Sequence, residues 1–424
     1  MKDKVRLGII GYGSIASKRH VPGLVNLKKA GLDNFEVTAV CDGVESNLTV
    51  ATAYVKNHLG NEPVAHRSWE DLVAGGKVDA VDICLPHGLH HVVGVACLDA
   101  GIDVLIEKPL AVSLKTGKLL VKAAERNGRL LSAAIPLRRL HGQRAVHWAL
   151  NDAKLIGDVR HFFHNYTNWR AQTTPANLTD GMRWRRDRVM GGGSTVIDSG
   201  THFLDTLRYL HGDVEQVYAE VRTYRDGEPV VAREAVAQHR ENVVMAVFTF
   251  KSGVVGTWCW STVAAGKESR DCVIHGTEGS IEDTNYADAS ITCHLFKGGL
   301  ELRKRDGSYM SMHELQSRHR NAIGPEGMQR LFPNGVTDEF ALTIWDFLDA
   351  AATGRQPEIP GRDGLITLGV AEAIYESSWS GQAVNVDKLL SGETPSRWQA
   401  DIDAYWEEYG MPSALTAKAG AVRV

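Results

Sequence analysis

Asp198 and His202 lie four residues apart in Gly191-Gly192-Gly193-Ser194-Thr195-Val196-Ile197-Asp198-Ser199-Gly200-Thr201-His202-Phe203-Leu204-Asp205. Val196, Ile197, Phe203, Leu204, Leu207 and Leu210 recur at helical spacing, which predicts a helix with Asp198 and His202 on one face. A carboxylate beside an imidazole fixes its tautomer and basicity, so the two make a proton-handling pair. The three glycines before them predict a loop whose backbone can approach something bulky. A second reactive group is Lys108, set in Glu107-Lys108-Pro109 between an apolar run and a rigid proline. Its charge can lower the pKa of a substrate hydroxyl and stabilise a developing alkoxide. The same residues also allow purely structural readings: a satisfied Asp–His pair on a helix, and a surface Glu107–Lys108 pair.

A third constellation opens the chain. Val5-Arg6-Leu7-Gly8-Ile9-Ile10 runs into Gly11-Tyr12-Gly13-Ser14-Ile15-Ala16, a G-x-G-x-x-A between a strand and a helix. The first glycine makes the turn, the second lets backbone approach a pyrophosphate, and the small third position allows close helix–strand packing. Phe35 to Cys41 reads as the next strand and ends at Asp42, where a dinucleotide fold places a carboxylate for the adenosine ribose. Gly43 to Asn47 hold no Arg or Lys for a 2′-phosphate, which favours NAD; Lys18 and Arg19 near the first loop keep NADP open.

These groups need a scaffold, and the chain spells out a β-α-β rhythm. A helix starts at Ser68, strands cover Val78–Pro86, Asp103–Ile106 and Leu130–Pro136, and helices cover His90–Ala100 and Ser113–Gly128. In such parallel sheets ligands bind at the carboxyl ends of strands. Leu85, Pro86, His87, His90, Glu107 and Lys108 fall there, and with Gly11, Gly13, Ser14, Ile15 and Asp42 form the candidate dinucleotide site; His90 reads equally well as a helix-start residue.

The 424 residues suggest two or three domains. A net charge of −4 and a pI near 6.5 offer no field for nucleic acid or an anionic membrane, so a small-molecule partner is expected. Six scattered cysteines (Cys41, Cys84, Cys97, Cys259, Cys272, Cys293), with no C-x-x-C, suit a reducing compartment. With no signal-peptide pattern and no membrane-length apolar run, a cytoplasmic location is expected, and no metal ion is expected.

From residue 138 the pattern changes. Strands are expected over Val214–Val221, Val243–Phe250 and Val254–Ser261, a hairpin turn at Lys251-Ser252-Gly253, and a strand-turn-strand over Cys272–Ile281, hence a largely antiparallel sheet. Arg170, Arg183, Arg185, Arg186 and Arg188 crowd the approach to the glycines, either as a solvated face or as a wall binding hydroxyls or a carboxylate. Trp169 and Trp184 could stack a sugar ring. Apolar helices over Thr337–Ala351 and Ile366–Ser378 read as core. Residues 391–424, with Trp398, Tyr405, Trp406 and Tyr409, read as an appended helix at a subunit contact, ending in about ten mobile residues.

In order and spacing, Gly11 to Ala16, Pro86 with His90, Glu107-Lys108-Pro109, Trp184-Arg185, Gly191 to Asp205, His275-Gly276-Thr277-Glu278-Gly279 and Glu372 to Ser377 resemble the Gfo/Idh/MocA oxidoreductase family, from Val5 to about Val386. The resemblance implies an α/β architecture: a Rossmann doubly wound parallel sheet over 1–137, a substrate-binding and oligomerisation domain over 138–390 with a large, open, mostly antiparallel sheet, and an extension over 391–424. It implies homodimers or homotetramers built on that sheet, and catalytic Lys108, Asp198 and His202. It also implies NAD(P)-dependent oxidation of a ring hydroxyl of a sugar, cyclitol or glycoside. Lys108, Arg170, Trp184, Arg185, Asp198 and His202 then become the substrate contacts. Ile135-Pro136-Leu137-Arg138-Arg139 departs from relatives that carry a polar residue before the arginines. Two rivals remain: a redox-neutral NAD-dependent glycoside hydrolase of the same fold, and a non-catalytic dinucleotide sensor.

Overall fold

The computed structural model describes residues 4–170, 183–224, 241–284 and 295–409. Cys293, the expected mobile tail, and the side chains of Arg186, Arg188, Tyr405 and Tyr409 lie outside the described residues.

Val5–Ile10 forms β1, buried everywhere but at Arg6, as a strand covered on both faces must be. With β2 (Phe35–Cys41), β3 (Val64–His66), β4 (Ala80–Ile83), β5 (Asp103–Glu107) and β6 (Leu131–Ala134) it builds a parallel sheet of order β3-β2-β1-β4-β5-β6. The strand expected over 78–86 is trimmed at both ends: Asp79 turns aside to bind the Arg6 guanidinium at 3.0 Å, and His87–Leu89 close into a 3-10 turn. Helices α1 (Val21–Lys29), α2 (Glu45–Leu59), α3 (Trp69–Ala74), α4 (His90–Asp99) and α5 (Leu114–Asn127) link the strands. α5 starts in a capping box between Ser113 and Thr116 and stops at Gly128, whose φ of 58° is left-handed. Chain order reverses between β1 and β4, and a ligand crevice opens at that switch point.

α6 (His141–Asn151) leads into a nine-stranded sheet. Its strands are β7 (Val159–Thr167), β8 (Val214–Arg222), β9 (Val243–Phe250), β10 (Val255–Ser261), β11 (Ser269–Gly276), β12 (Gly279–Glu282), β13 (Glu301–Lys304), β14 (Tyr309–Ser311) and β15 (Val384–Asn385), in the order β14-β13-β12-β11-β7-β10-β9-β8-β15. Among the described residues every neighbouring pair is antiparallel except β7–β10. One face carries α7 (Gly200–His211), whose Phe203 ring lies 4.8 Å from that of Trp258 on β10.

Then come α8 (Met312–Leu331), α9 (Glu339–Thr353), α10 (Gly361–Ser380), α11 (Val386–Ser391) and α12 (Arg397–Tyr409). α9 does not join the second sheet: its Ala341, Ile344, Phe347 and Leu348 share one apolar core with Leu7 and Ile9 of β1 and Leu24 and Leu27 of α1. In the extension, Trp398, Ile402 and Trp406 of α12 are buried against their own chain. In the described residues no helix is long and apolar enough to cross a membrane.

Candidate functional site

Gly11 has φ of +90°, and a Cβ on it would stand 2.5 Å from the Cys84 carbonyl oxygen of the neighbouring strand end, so only glycine fits the turn. A Cβ on Gly13 would meet no atom within 4 Å, which leaves its backbone open to a bulky anion. The chain becomes helical at the exposed Ser14 and half-buried Ile15, widens to a π-turn over Ala16–His20 and continues as α1; the free N–H groups of such a helix start bind phosphate. At the end of β2, Asp42 accepts the Tyr12 N–H at 2.7 Å and the Val44 N–H at 2.8 Å, which anchors it beside the loop. A cation does reach this corner, from beyond β3: Arg67 donates to the Gly43 carbonyl at 2.8 Å and is ion-paired with Glu45. A glycine cradle, an anchored carboxylate and an already neutralised arginine together fit NAD.

Three histidines line the strand ends, each with a different task. His20 is fully buried, with Nδ1 2.8 Å from Asp82 and Nε2 3.1 Å from Glu107. Burial works against its charge, but Asp82 and Cys84 together outweigh burial and hold its pKa well above the usual value. His20, Asp82 and Cys84 offer ligand atoms within 4.8 Å of one another. His90, also fully buried, faces the carbonyl oxygens of Leu85 and Pro109, both at 2.9 Å, and so ties the strand end at Leu85 and Pro86 to the Lys108 turn. His87 donates from Nδ1 to the Gly191 carbonyl at 2.8 Å, and burial pulls its pKa down to about 3, so it is neutral at ordinary pH.

Lys108, at the end of β5, donates from Nζ to the Asp198 carboxylate at 2.6 Å and to its carbonyl at 3.1 Å. Two of the three ammonium hydrogens are thereby used and the third remains for a ligand. The other carboxylate oxygen of Asp198 is taken by Arg185. Burial disfavours the Asp198 charge, yet Lys108, with Arg185 beside it, keeps the carboxyl well below the usual carboxylate range. The Arg185 guanidinium lies 4.6 Å from the Trp184 ring centre, and that ring stands 4.7 Å from His87, edge-on. Lys108, Asp198, Trp184, Arg185 and His87 thus form one cluster, with two cations around one anion.

Asp198 is not on the helix that the apolar spacing predicts. The Gly200 N–H reaches back five residues to Thr195 rather than four, so residues 195–199 make a wider turn and α7 begins only at Gly200. No hydrogen bond joins Asp198 to His202, because both carboxylate oxygens serve cations from elsewhere in the fold. His202 sits in the first turn of α7 and is 8% exposed. Arg170 donates to the Tyr166 hydroxyl at 3.1 Å and its N–H to the Thr262 carbonyl, and no bond links it to Lys108 or Asp198. Arg138, in the departing segment after β6, binds the buried Asp205 of α7 with both arms, at 2.6 and 2.7 Å, and Asp363 at 2.7 Å. It therefore fixes α7 against the first sheet. His20, Arg67 and Asp205 are site residues that local reading missed; a buried histidine one turn past the glycine motif was the available signal for the first.

Two family models match the chain: "Oxidoreductase family, NAD-binding Rossmann fold" over residues 5–135 and "Oxidoreductase family, C-terminal alpha/beta domain" over residues 152–386. A 1,5-anhydro-D-fructose reductase of Ensifer adhaerens is 26% identical over 386 residues, which covers 91% of this chain and 99% of the relative. A myo-inositol 2-dehydrogenase of Thermotoga maritima is 22% identical over 91% of this chain and 100% of its own. A solved levoglucosan dehydrogenase in complex with NADH and levoglucosan has the same fold, with a TM-score of 0.70 at 22% identity over 90% of this chain and 99% of that one.

Proposed function

We propose, from the premise that the chain belongs to the Gfo/Idh/MocA oxidoreductase family, that it is a dehydrogenase oxidising a ring hydroxyl of a sugar, cyclitol or glycoside. The observation that carries this reading is Lys108, held by Asp198 at a strand end of an NAD-binding sheet with one ammonium hydrogen to spare. Bound NAD supplies the acceptor for a hydride. Lys108 donates its third N–H to the substrate hydroxyl oxygen, which lowers the hydroxyl pKa and stabilises the alkoxide as it develops. His202 takes the hydroxyl proton. Asp198 keeps Lys108 charged and aimed, and Arg185 leaves the cluster one positive charge in excess, the sign an alkoxide needs. Trp184, backed by Arg185, offers a face for the ring that carries the hydroxyl.

The names of relatives support sugars and cyclitols as the class. The open face of the second sheet supports a homodimer or homotetramer: Tyr218, Val247, Thr257, Phe163 and Val273 stand in register across five strands, and Met245 and Val255 flank them, exposed. The test is NADH absorbance with NAD or NADP and a panel of cyclitols, aldoses, uronates and glycosides. Formation of NADH with one class is expected; cofactor binding without turnover of any of them would count against the reading.

A further inference from the structure

We propose that Glu241 is a positioning residue for the Lys108–Asp198 pair, working with Tyr375 and Trp398 to fix the turn that carries Asp198; the idea rests on that pair doing the chemistry given above. Glu241 precedes β9 and is 3% exposed. A single oxygen, Oε1, accepts the N–H of Ser194 at 3.2 Å, the N–H of Val196 at 2.8 Å and the hydroxyl of Tyr375, on α10, at 2.9 Å. Both N–H groups belong to the segment that turns into Asp198 four residues after Ser194.

Tyr375 fills the space beneath the glycines. Gly193 has φ of +118°, and a Cβ there would stand 2.5 Å from the Tyr375 hydroxyl oxygen. The Tyr375 ring stacks on Trp398 of α12, with centres 5.0 Å apart and planes 15° from parallel. The Trp398 indole N–H donates to the Val112 carbonyl at 2.8 Å, and the Val112 side chain packs on Gly192, whose added Cβ would be 2.9 Å from it. Val112 lies four residues after Lys108. The segment leaving Lys108 and the turn entering Asp198 are therefore gripped by one set of residues, drawn from positions 241, 375 and 398. Without the Oε1 acceptor, the Val196 N–H, the Ser194 N–H and the Tyr375 hydroxyl each lose the bond they make to Glu241, and the turn relaxes. Asp198 then shifts away from the Lys108 ammonium.

The decisive comparison is E241L against E241Q in the full chain. A glutamine carbonyl can take the place of Oε1 and accept the same three bonds; leucine cannot. E241L is expected to lower kcat about a hundredfold, the scale of a 1 Å misplacement of a reacting group, with the KM for NAD unchanged. It should also raise labelling of Lys108 by an amine-reactive ester, read by mass spectrometry against exposed Lys56, because the ammonium is no longer held. E241Q should match the wild type in both readouts. Should E241L not fold, Y375F removes the phenol hydroxyl and leaves Oε1 in place, and a smaller change in the same directions is expected. A folded E241L or Y375F with wild-type kcat and wild-type Lys108 labelling overturns the proposal, as does E241Q behaving like E241L. A wild-type protein that oxidises none of the panel defeats the dehydrogenase reading instead, and Lys108 labelling alone then decides the positioning role.

Discussion

At the scale of single residues, the site is a balance of charges around Asp198. Lys108 carries the chemistry in our reading, so K108M should lower kcat by about a hundred- to ten-thousandfold while NAD still binds, as followed by NADH fluorescence; turnover near the wild type would remove Lys108 from the mechanism. H202A belongs to the same class and should fall within the same range. D198N keeps the shape of the side chain but removes the charge that faces both Lys108 and Arg185, and a smaller drop in kcat is expected. At the far end of the crevice, Asp42 and Glu45 stand where a 2′-phosphate would bring more negative charge, with Arg67 already paired. D42S should move the NADP-to-NAD ratio of kcat/KM toward NADP by about tenfold, or 1.4 kcal/mol; an unchanged ratio would show that Asp42 does not set cofactor choice.

At the scale of elements, helix ends and strand ends do the placing, and one helix start stores a pH response. Glu372 of α10 accepts the Leu114 N–H at 2.9 Å, at the start of α5, and the Ser396 hydroxyl at 2.5 Å, just before α12. Burial pushes its carboxyl up to about 7 despite both bonds. A carboxyl raised on folding adds stability below its unfolded value and loses it as pH rises through the folded one, so the loss falls between about 4.5 and 7. E372Q, a mimic of the protonated group, should match the wild type at low pH and be more stable above pH 7 by about 2–3 kcal/mol; parallel melting curves at every pH would refute this. The elements themselves were legible in large part, since β1, β5 and α4 follow apolar runs and β2 and α5 follow apolar residues at strand and helix spacing, bounded by Gly11, Lys108, Gly101, Asp42 and Gly128. The Rossmann motif and the Lys108 strand end were legible for the same reason. What escaped was the pairing of distant segments. Periodicity carried the helix through Asp198 because Val196 and Ile197 keep apolar spacing, and nothing local tells of a carboxylate at position 241 that claims the Ser194 and Val196 N–H groups. His20 facing Asp82 and Glu107 is likewise a product of sheet order, which single runs do not reveal.

At the scale of the whole molecule, the second sheet has one face packed under α7 and the other open to solvent. The aligned row from Tyr218 to Val273 is expected to be covered in the assembly. V247D should turn a dimer or tetramer into monomers by light scattering, with NAD binding kept; an oligomer of unchanged mass would place the interface elsewhere. The first sheet has the opposite arrangement, since one of its covers, α9, is borrowed from near the far end of the chain. During synthesis, residues 5–137 leave the ribosome long before residue 339, and in that interval Leu24 and Leu27 lack the part of their cover that α9 supplies. A chain stopped ahead of residue 339 is therefore expected to aggregate rather than stand free as an NAD-binding domain, and light scattering of residues 1–137 checks this.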